Sequence, residues 1–125
     1  MVISKEDVEI YLCEVKRLIL EDRYIVAHRE KNELLVYEYV LTEHMMKEIL
    51  LDLNVEDFSQ AVNNKKEEYK EEVLFIFGKE VRLVPRFGVD EDTVELYIKF
   101  NKLDKHFLIV VSIHKQEYPM EYMFK

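Results

Sequence analysis

A chain of 125 residues, 49% of them hydrophobic and with a formal net charge of −8, can fill one hydrophobic core without disulfides or metals. Its single cysteine, Cys13, excludes an internal disulfide, and two glycines and two prolines exclude the Gly-rich phosphate loops of nucleotide-cofactor enzymes. Lys5, Glu6 and Asp7 interrupt any early apolar run and no later run is long enough to span a bilayer, so residues 1–125 read as one soluble, cytoplasmic domain without membrane association.

The charge is uneven. Residues 1–72 hold 10 Lys and Arg against 18 Asp and Glu, whereas residues 73–125 hold 8 against 8. An acidic chain argues against direct DNA contact, because phosphate neutralisation needs a basic face. A local basic site in the second half stays open.

In chain order, Ser4 with Asp7 reads as a capping box, and Val8, Tyr11, Leu12, Val15, Leu18 and Ile19 follow at helical spacing. Tyr24 to Arg29 reads as an extended crossing. Asn32 is placed as the cap of a short second helix with Leu35 and Tyr39 inward, and Thr42 as the cap of a third with Met46, Ile49, Leu50 and Leu53 inward. Asn54 to Phe58 repeats the capping pattern and starts a last helical turn. Residues 63–72 lack an apolar stripe and read as a solvated helical extension or a linker.

From Val73 the pattern changes to strands. Val73–Phe77 and Glu80–Phe87 flank Gly78-Lys79, read as a hairpin turn, with Phe75, Phe77, Arg82 and Arg86 on one face. Val94 to Phe100 alternates strictly, with Val94, Leu96, Ile98 and Phe100 opposed to Glu95, Tyr97 and Lys99, and Phe107 to Ile113 is apolar nearly throughout. Pairing Phe100 with Phe107 places Phe107, Ile109, Val111 and Ile113 on the apolar face, and Leu108, Val110, Ser112 and His114 beside Tyr97 and Lys99. The fold class is therefore α+β, with helices from residues 1–72 packed on a four-stranded antiparallel meander from residues 73–125.

The polar face gathers a phenol, an ammonium and an imidazole. His114 is the candidate proton carrier, since imidazole exists in both forms near neutral pH. Lys99, Arg82 and Arg86 are candidate phosphate donors. Each also has an ordinary reading, as a strand-end histidine bonded to a turn or as charges on a solvated strand face. His28, His44 and His106 have no metal-site spacing, so neither a metal nor another cofactor is expected.

The segments Asp57-Phe58, Leu74-Phe75-Ile76-Phe77-Gly78-Lys79, Leu96-Tyr97-Ile98-Lys99-Phe100 and Val111-Ser112-Ile113-His114, followed by Glu117-Tyr118-Pro119-Met120, resemble the MqsR family of toxins. The Ser-Ile-His and Glu-Tyr-Pro-Met pieces resemble its Gram-positive branch. The resemblance implies a RelE-like fold and an mRNA interferase, an endoribonuclease of a type II toxin–antitoxin system that cuts single-stranded mRNA without a metal. It implies as partner a co-encoded antitoxin with zinc-binding and helix-turn-helix domains. The family's strand tyrosine falls on Tyr97, one of its lysines on Lys99, and the basic residue closing its last strand on His114. Its active-site lysine falls on Gln60, and its glutamine on or near Ile76. With this resemblance, catalysis is expected at His114, Tyr97 and Lys99 and RNA binding at Arg82, Arg86, Gln60 and Lys115. Gln60, Ile76 and the acidic charge leave a second reading open, that of a non-catalytic toxin-like or RNA-binding module that pairs with an antitoxin.

Overall fold

The computed structural model describes residues 2–125. It has three helices, α1 (Lys5–Leu20), α2 (Glu30–Glu38) and α3 (Glu43–Leu51). Its five strands are β1 (Tyr24–Val26), β2 (Phe58–Asn63), β3 (Val73–Leu83), β4 (Asp92–Leu103) and β5 (Phe107–Lys115). The strands form one mixed sheet in the order β1-β5-β4-β3-β2. β2 to β5 run as an antiparallel meander, and β1 adds to β5 in parallel at the edge. The α+β class expected from sequence holds, whereas the four-stranded, purely antiparallel sheet does not. Among the described residues no helix is long and apolar enough to cross a membrane.

Local signals set the helices. Ser4 accepts from the Asp7 amide while the Asp7 carboxylate accepts from the Ser4 amide, closing the capping box that starts α1. The six apolar residues expected on its inner face are all buried. Thr42 caps α3 as expected, through the Met45 amide. Asn54 and Asp57 close a second capping box, but only a single 3-10 turn follows before the chain enters β2.

Four expectations are corrected. Val73 to Leu83 is one continuous strand, so Gly78 makes no turn and has no positive φ. Its missing side chain serves a close approach instead: a Cβ there would lie 2.2 Å from the Tyr122 hydroxyl, which crosses over the strand. As a result Phe75 and Phe77 face the core with Phe58 and Phe100, away from Arg82. The last helical turn forms at Val55–Asp57 as expected, but the chain then enters β2, a strand the sequence reading did not place. Residues 64–72 are the linker of the two readings, connecting β2 to β3 with one short turn at Glu67–Tyr69. α2 begins at Glu30 with Arg29 at its cap position, and Asn32 is buried inside it.

The fourth correction is the β4–β5 register. Leu103 pairs with Phe107 around a tight loop in which Asp104 takes a φ of 56°, a conformation Asp tolerates, so the strands run past the expected turn at Asn101. Val94, Leu96, Ile98 and Phe100 are buried as expected, but their partners across the core are Leu108 and Val110, not Phe107, Ile109 and Val111.

Strict alternation from Leu108 and Val110 would then drive Ser112 and His114 into the core and Ile113 out of it. A bulge prevents this: Phe100 pairs with Val110 and Lys99 with Ser112, leaving Val111 as the extra residue. Beyond it Ile113 is fully buried and His114 faces outward beside Tyr97.

Asn32 spans the bulge. Its Nδ2 donates to the carbonyls of Ala27, at 3.0 Å, and Val111, at 3.1 Å, and its Oδ1 accepts from the Ile113 amide at 2.8 Å. β1 has ended by this point, with the Ala27 amide donating to Val110 O as its final bond, so one side chain replaces the missing strand. Asn32→Ala would leave the Ile113 amide and the Val111 carbonyl without these partners, each worth roughly 1–3 kcal/mol when buried and unpaired. Urea unfolding should show a loss of about 2–4 kcal/mol; a loss under about 0.5 kcal/mol would show that the bulge holds without this clamp.

Candidate functional site

The sheet face turned away from α1 and α3 is open, and a cleft of about 960 Å³ lies over it. β4 supplies Tyr97 and Lys99, β5 supplies Ser112 and His114, and the neighbouring strands supply Ile76 and Gln60. One wall is the start of α2, from Arg29 to Asn32. The other is the C-terminal tail, Glu117 to Glu121.

The tail is fastened at several points. The Gln116 side chain donates to Leu96 O, Ser59 Oγ donates to Glu121 O at 2.7 Å, and the Met123 amide donates to Phe58 O. Phe124 stacks on Phe58 with ring centroids 6.0 Å apart. Lys31 and Glu117 form an ion pair joining the two walls of the cleft. The Lys31 hydrogen bond and charge hold the Glu117 carboxyl below the ordinary carboxylate range.

Inside the cleft, Tyr97 and His114 are direct cross-strand partners with rings stacked 5.1 Å apart and 14° from parallel. His114 Nδ1 lies 2.8 Å from the Lys115 carbonyl, which can only accept. The proton therefore sits on Nδ1 of the neutral ring, and Nε2 keeps its lone pair. Burial, reinforced by Glu117 and opposed by Arg29, raises the Tyr97 phenol above its ordinary value, so it remains a proton donor through neutral pH.

Two cations complete the group. Arg29 donates to Ser112 Oγ at 3.3 Å, and Lys99 pairs with Ser112 across the ladder. Among the described residues neither cation has a carboxylate within ion-pair distance, in contrast to Lys31 beside them. Burial first, then the charges of Arg29 and Lys65, depress the Lys99 amine below the ordinary lysine range. Two cations on an open face are suited to an anionic group such as a phosphate.

Of the residues expected from sequence, His114, Tyr97, Lys99 and Gln60 line this cleft together. Arg82, Arg86 and Lys115 do not. Arg82 is exposed and lies 3.9 Å from Glu91, while Arg86 donates to the carbonyls of Val36 and Tyr37 and so closes the end of α2. Lys115 sits over the Tyr39 ring and reaches Glu38 at 3.4 Å. Sequence reasoning missed Arg29, in a segment taken only as a crossing, and Ser112 as its partner. A basic residue immediately before a helical segment was the available signal. Among the described residues no three His, Cys, Asp or Glu side chains gather into a metal-binding group.

Comparison of the chain with family models, with curated proteins and with solved structures yields no match.

The depressed Lys99 amine has a consequence for stability. A base whose folded pKa lies below its unfolded value penalises folding at every pH where both states are charged, and the penalty disappears as pH rises from the folded to the unfolded pKa. At pH 7 Lys99→Met should therefore unfold at a higher urea midpoint than the natural chain, and the gap should close as pH approaches the ordinary lysine range. A variant less stable at pH 7 would show that Lys99 is held by attractive contacts.

Proposed function

We propose that the protein is a metal-independent endoribonuclease, the toxin of a type II toxin–antitoxin system, acting on single-stranded mRNA on a RelE-like scaffold. The observation that carries this reading is the stacked Tyr97–His114 pair beside Arg29 and Lys99 on the open sheet face. It supplies what RNA cleavage requires: a base, an acid and cations for the phosphate.

In this mechanism His114 Nε2 removes the proton of a ribose 2′-hydroxyl, whose oxygen attacks the adjacent phosphorus. As the 2′-O–P bond forms, Arg29 and Lys99 hold the charge growing on the non-bridging oxygens. The P–O5′ bond breaks and the Tyr97 hydroxyl protonates the leaving oxygen. The products are a 2′,3′-cyclic phosphate and a free 5′-hydroxyl, and proton return from His114 to Tyr97 through solvent resets the site. Gln60 faces Ile76 across the β2–β3 ladder, so a glutamine stands beside the position where the resemblance implies one. Neutralisation falls to the co-encoded antitoxin with zinc-binding and helix-turn-helix domains.

The second reading, a non-catalytic module that retains only antitoxin pairing, draws on two observations. Gln60 stands where the resemblance implies a lysine, and the acidic Glu30, Glu117 and Glu121 line the same cleft.

Cleavage of a single-stranded RNA in the presence of a chelator separates the two. The nuclease reading expects cyclic phosphate ends, a loss on the order of a hundredfold or more for His114→Ala, and unchanged urea unfolding in that variant. Tyr97→Phe keeps the stacked ring and removes only the hydroxyl, so it should slow cleavage without weakening RNA binding. Natural protein that leaves RNA intact yet binds its antitoxin tightly would leave the module reading standing.

A further inference from the structure

A second hollow of about 790 Å³ adjoins the cleft and shares Arg29 and Lys99 with it. Its floor is apolar, with Leu74 from β3 and Ile109 and Val111 from β5, on either side of β4. At one end stands Glu72. The Asn64 and Asn101 side-chain amides donate to its Oε1 at 3.1 and 3.0 Å, and Asn101 is buried. The carboxylate is thereby fixed in position with only one of its oxygens engaged. Among the described residues, neither Glu72 Oε2 nor Asn101 Oδ1 receives a hydrogen bond, although both residues border the hollow.

We infer that this second hollow takes the base of a nucleotide flanking the one that is cut, and that Glu72 makes it selective for guanine. The inference rests on the nuclease reading and names a substrate preference for it. An apolar floor beside a phosphate-binding cation pair suits a planar base splayed from a single strand. The volume lies in the range of small-molecule sites. Selectivity follows from the unengaged acceptors. Guanine alone among the four RNA bases sets two N–H donors, N1–H and the N2 amine, side by side on its pairing edge. Adenine and cytosine turn a ring-nitrogen acceptor toward the carboxylate, and uracil flanks its single N–H with two carbonyls. Each of these would leave the carboxylate facing another acceptor and partly unpaired.

The test is titration of the protein with guanosine, inosine and adenosine 5′-monophosphates, followed by amide chemical shifts, in the natural chain and in Glu72→Gln. The guanine nucleotide should bind roughly tenfold or more tightly than the adenine one, the usual range for hydrogen bonds to a charged group, with shifts at Glu72, Leu74 and Asn101. Inosine, which lacks the N2 amine, should fall between them. Glu72→Gln keeps an oxygen for the Asn64 and Asn101 amides and turns the other acceptor into a donor. It should therefore abolish the preference without lowering the melting midpoint. Equal binding of the guanine and adenine nucleotides, binding of neither at millimolar concentration, or a preference that survives Glu72→Gln would overturn the inference. Cleavage of single-stranded RNA is scored separately. RNA cut without regard to guanine would sink the subsite and leave the nuclease reading, while guanine preference in a protein that cuts no RNA would do the reverse.

Discussion

The geometry of the open face depends on how β5 changes parity between Val110 and Ile113. With Leu108 and Val110 in the core, strict alternation through Val111-Ser112-Ile113-His114 would bury an imidazole and expose an isoleucine, both unfavourable. One extra residue in the ladder resolves the conflict, and Asn32 from α2 satisfies the strand edge that the bulge and the end of β1 leave bare. The same side chain therefore ties the helix to the sheet and fixes which face His114 occupies. Removing it would disturb the core at Ile113 and the cleft at His114 together.

The charges follow a second constraint. The chain is strongly acidic, yet most of its acids are held away from the cleft or already matched. Lys79 is set between Asp52 and Asp57, Lys102 pairs with Glu14, and Lys47 with Asp22. Lys79 with Asp57 and Lys102 with Glu14 are largely shielded from solvent, and together these pairs neutralise the charge around the sheet. Within the cleft Glu117 is matched by Lys31, and among the described residues neither Arg29 nor Lys99 has a carboxylate within ion-pair distance despite a net charge of −8. Net charge alone is a poor guide to whether such a chain can hold a phosphate.

Much of this was legible in the sequence. Ser4 and Thr42 announced their helices through hydrogen bonds that need only a few neighbouring residues, and the alternation of Val94 to Phe100 fixed one face of β4. Tyr97, Lys99 and His114 were placed on one face correctly, although by a register that was wrong upstream: Phe107, Ile109 and Val111 turn to the open side. β5 is apolar on both faces before Ser112, so composition could not choose between its two parities, and the bulge that repairs them is a tertiary event involving Asn32. Gly78 misled for a related reason. A glycine beside a lysine signals a turn locally, but this one is required by Tyr122, 44 positions away in the chain. Arg82 and Arg86 were plausible phosphate donors by type alone, and only the fold reveals that one caps α2 and the other faces Glu91.

The central claim is that a single-stranded RNA lies on the open sheet face with its reacting phosphate between His114, Arg29 and Lys99. It is tested most directly by amide and side-chain chemical shifts on adding a single-stranded oligonucleotide whose 2′-hydroxyls are replaced by hydrogen, so that it binds without being cut. The account predicts the largest changes at Tyr97, Lys99, Ser112, His114 and the Arg29 guanidinium, with Arg82, Arg86 and α1 unaffected. Shifts centred on Arg82, Arg86 or Lys115, with the His114 ring unchanged, would contradict it.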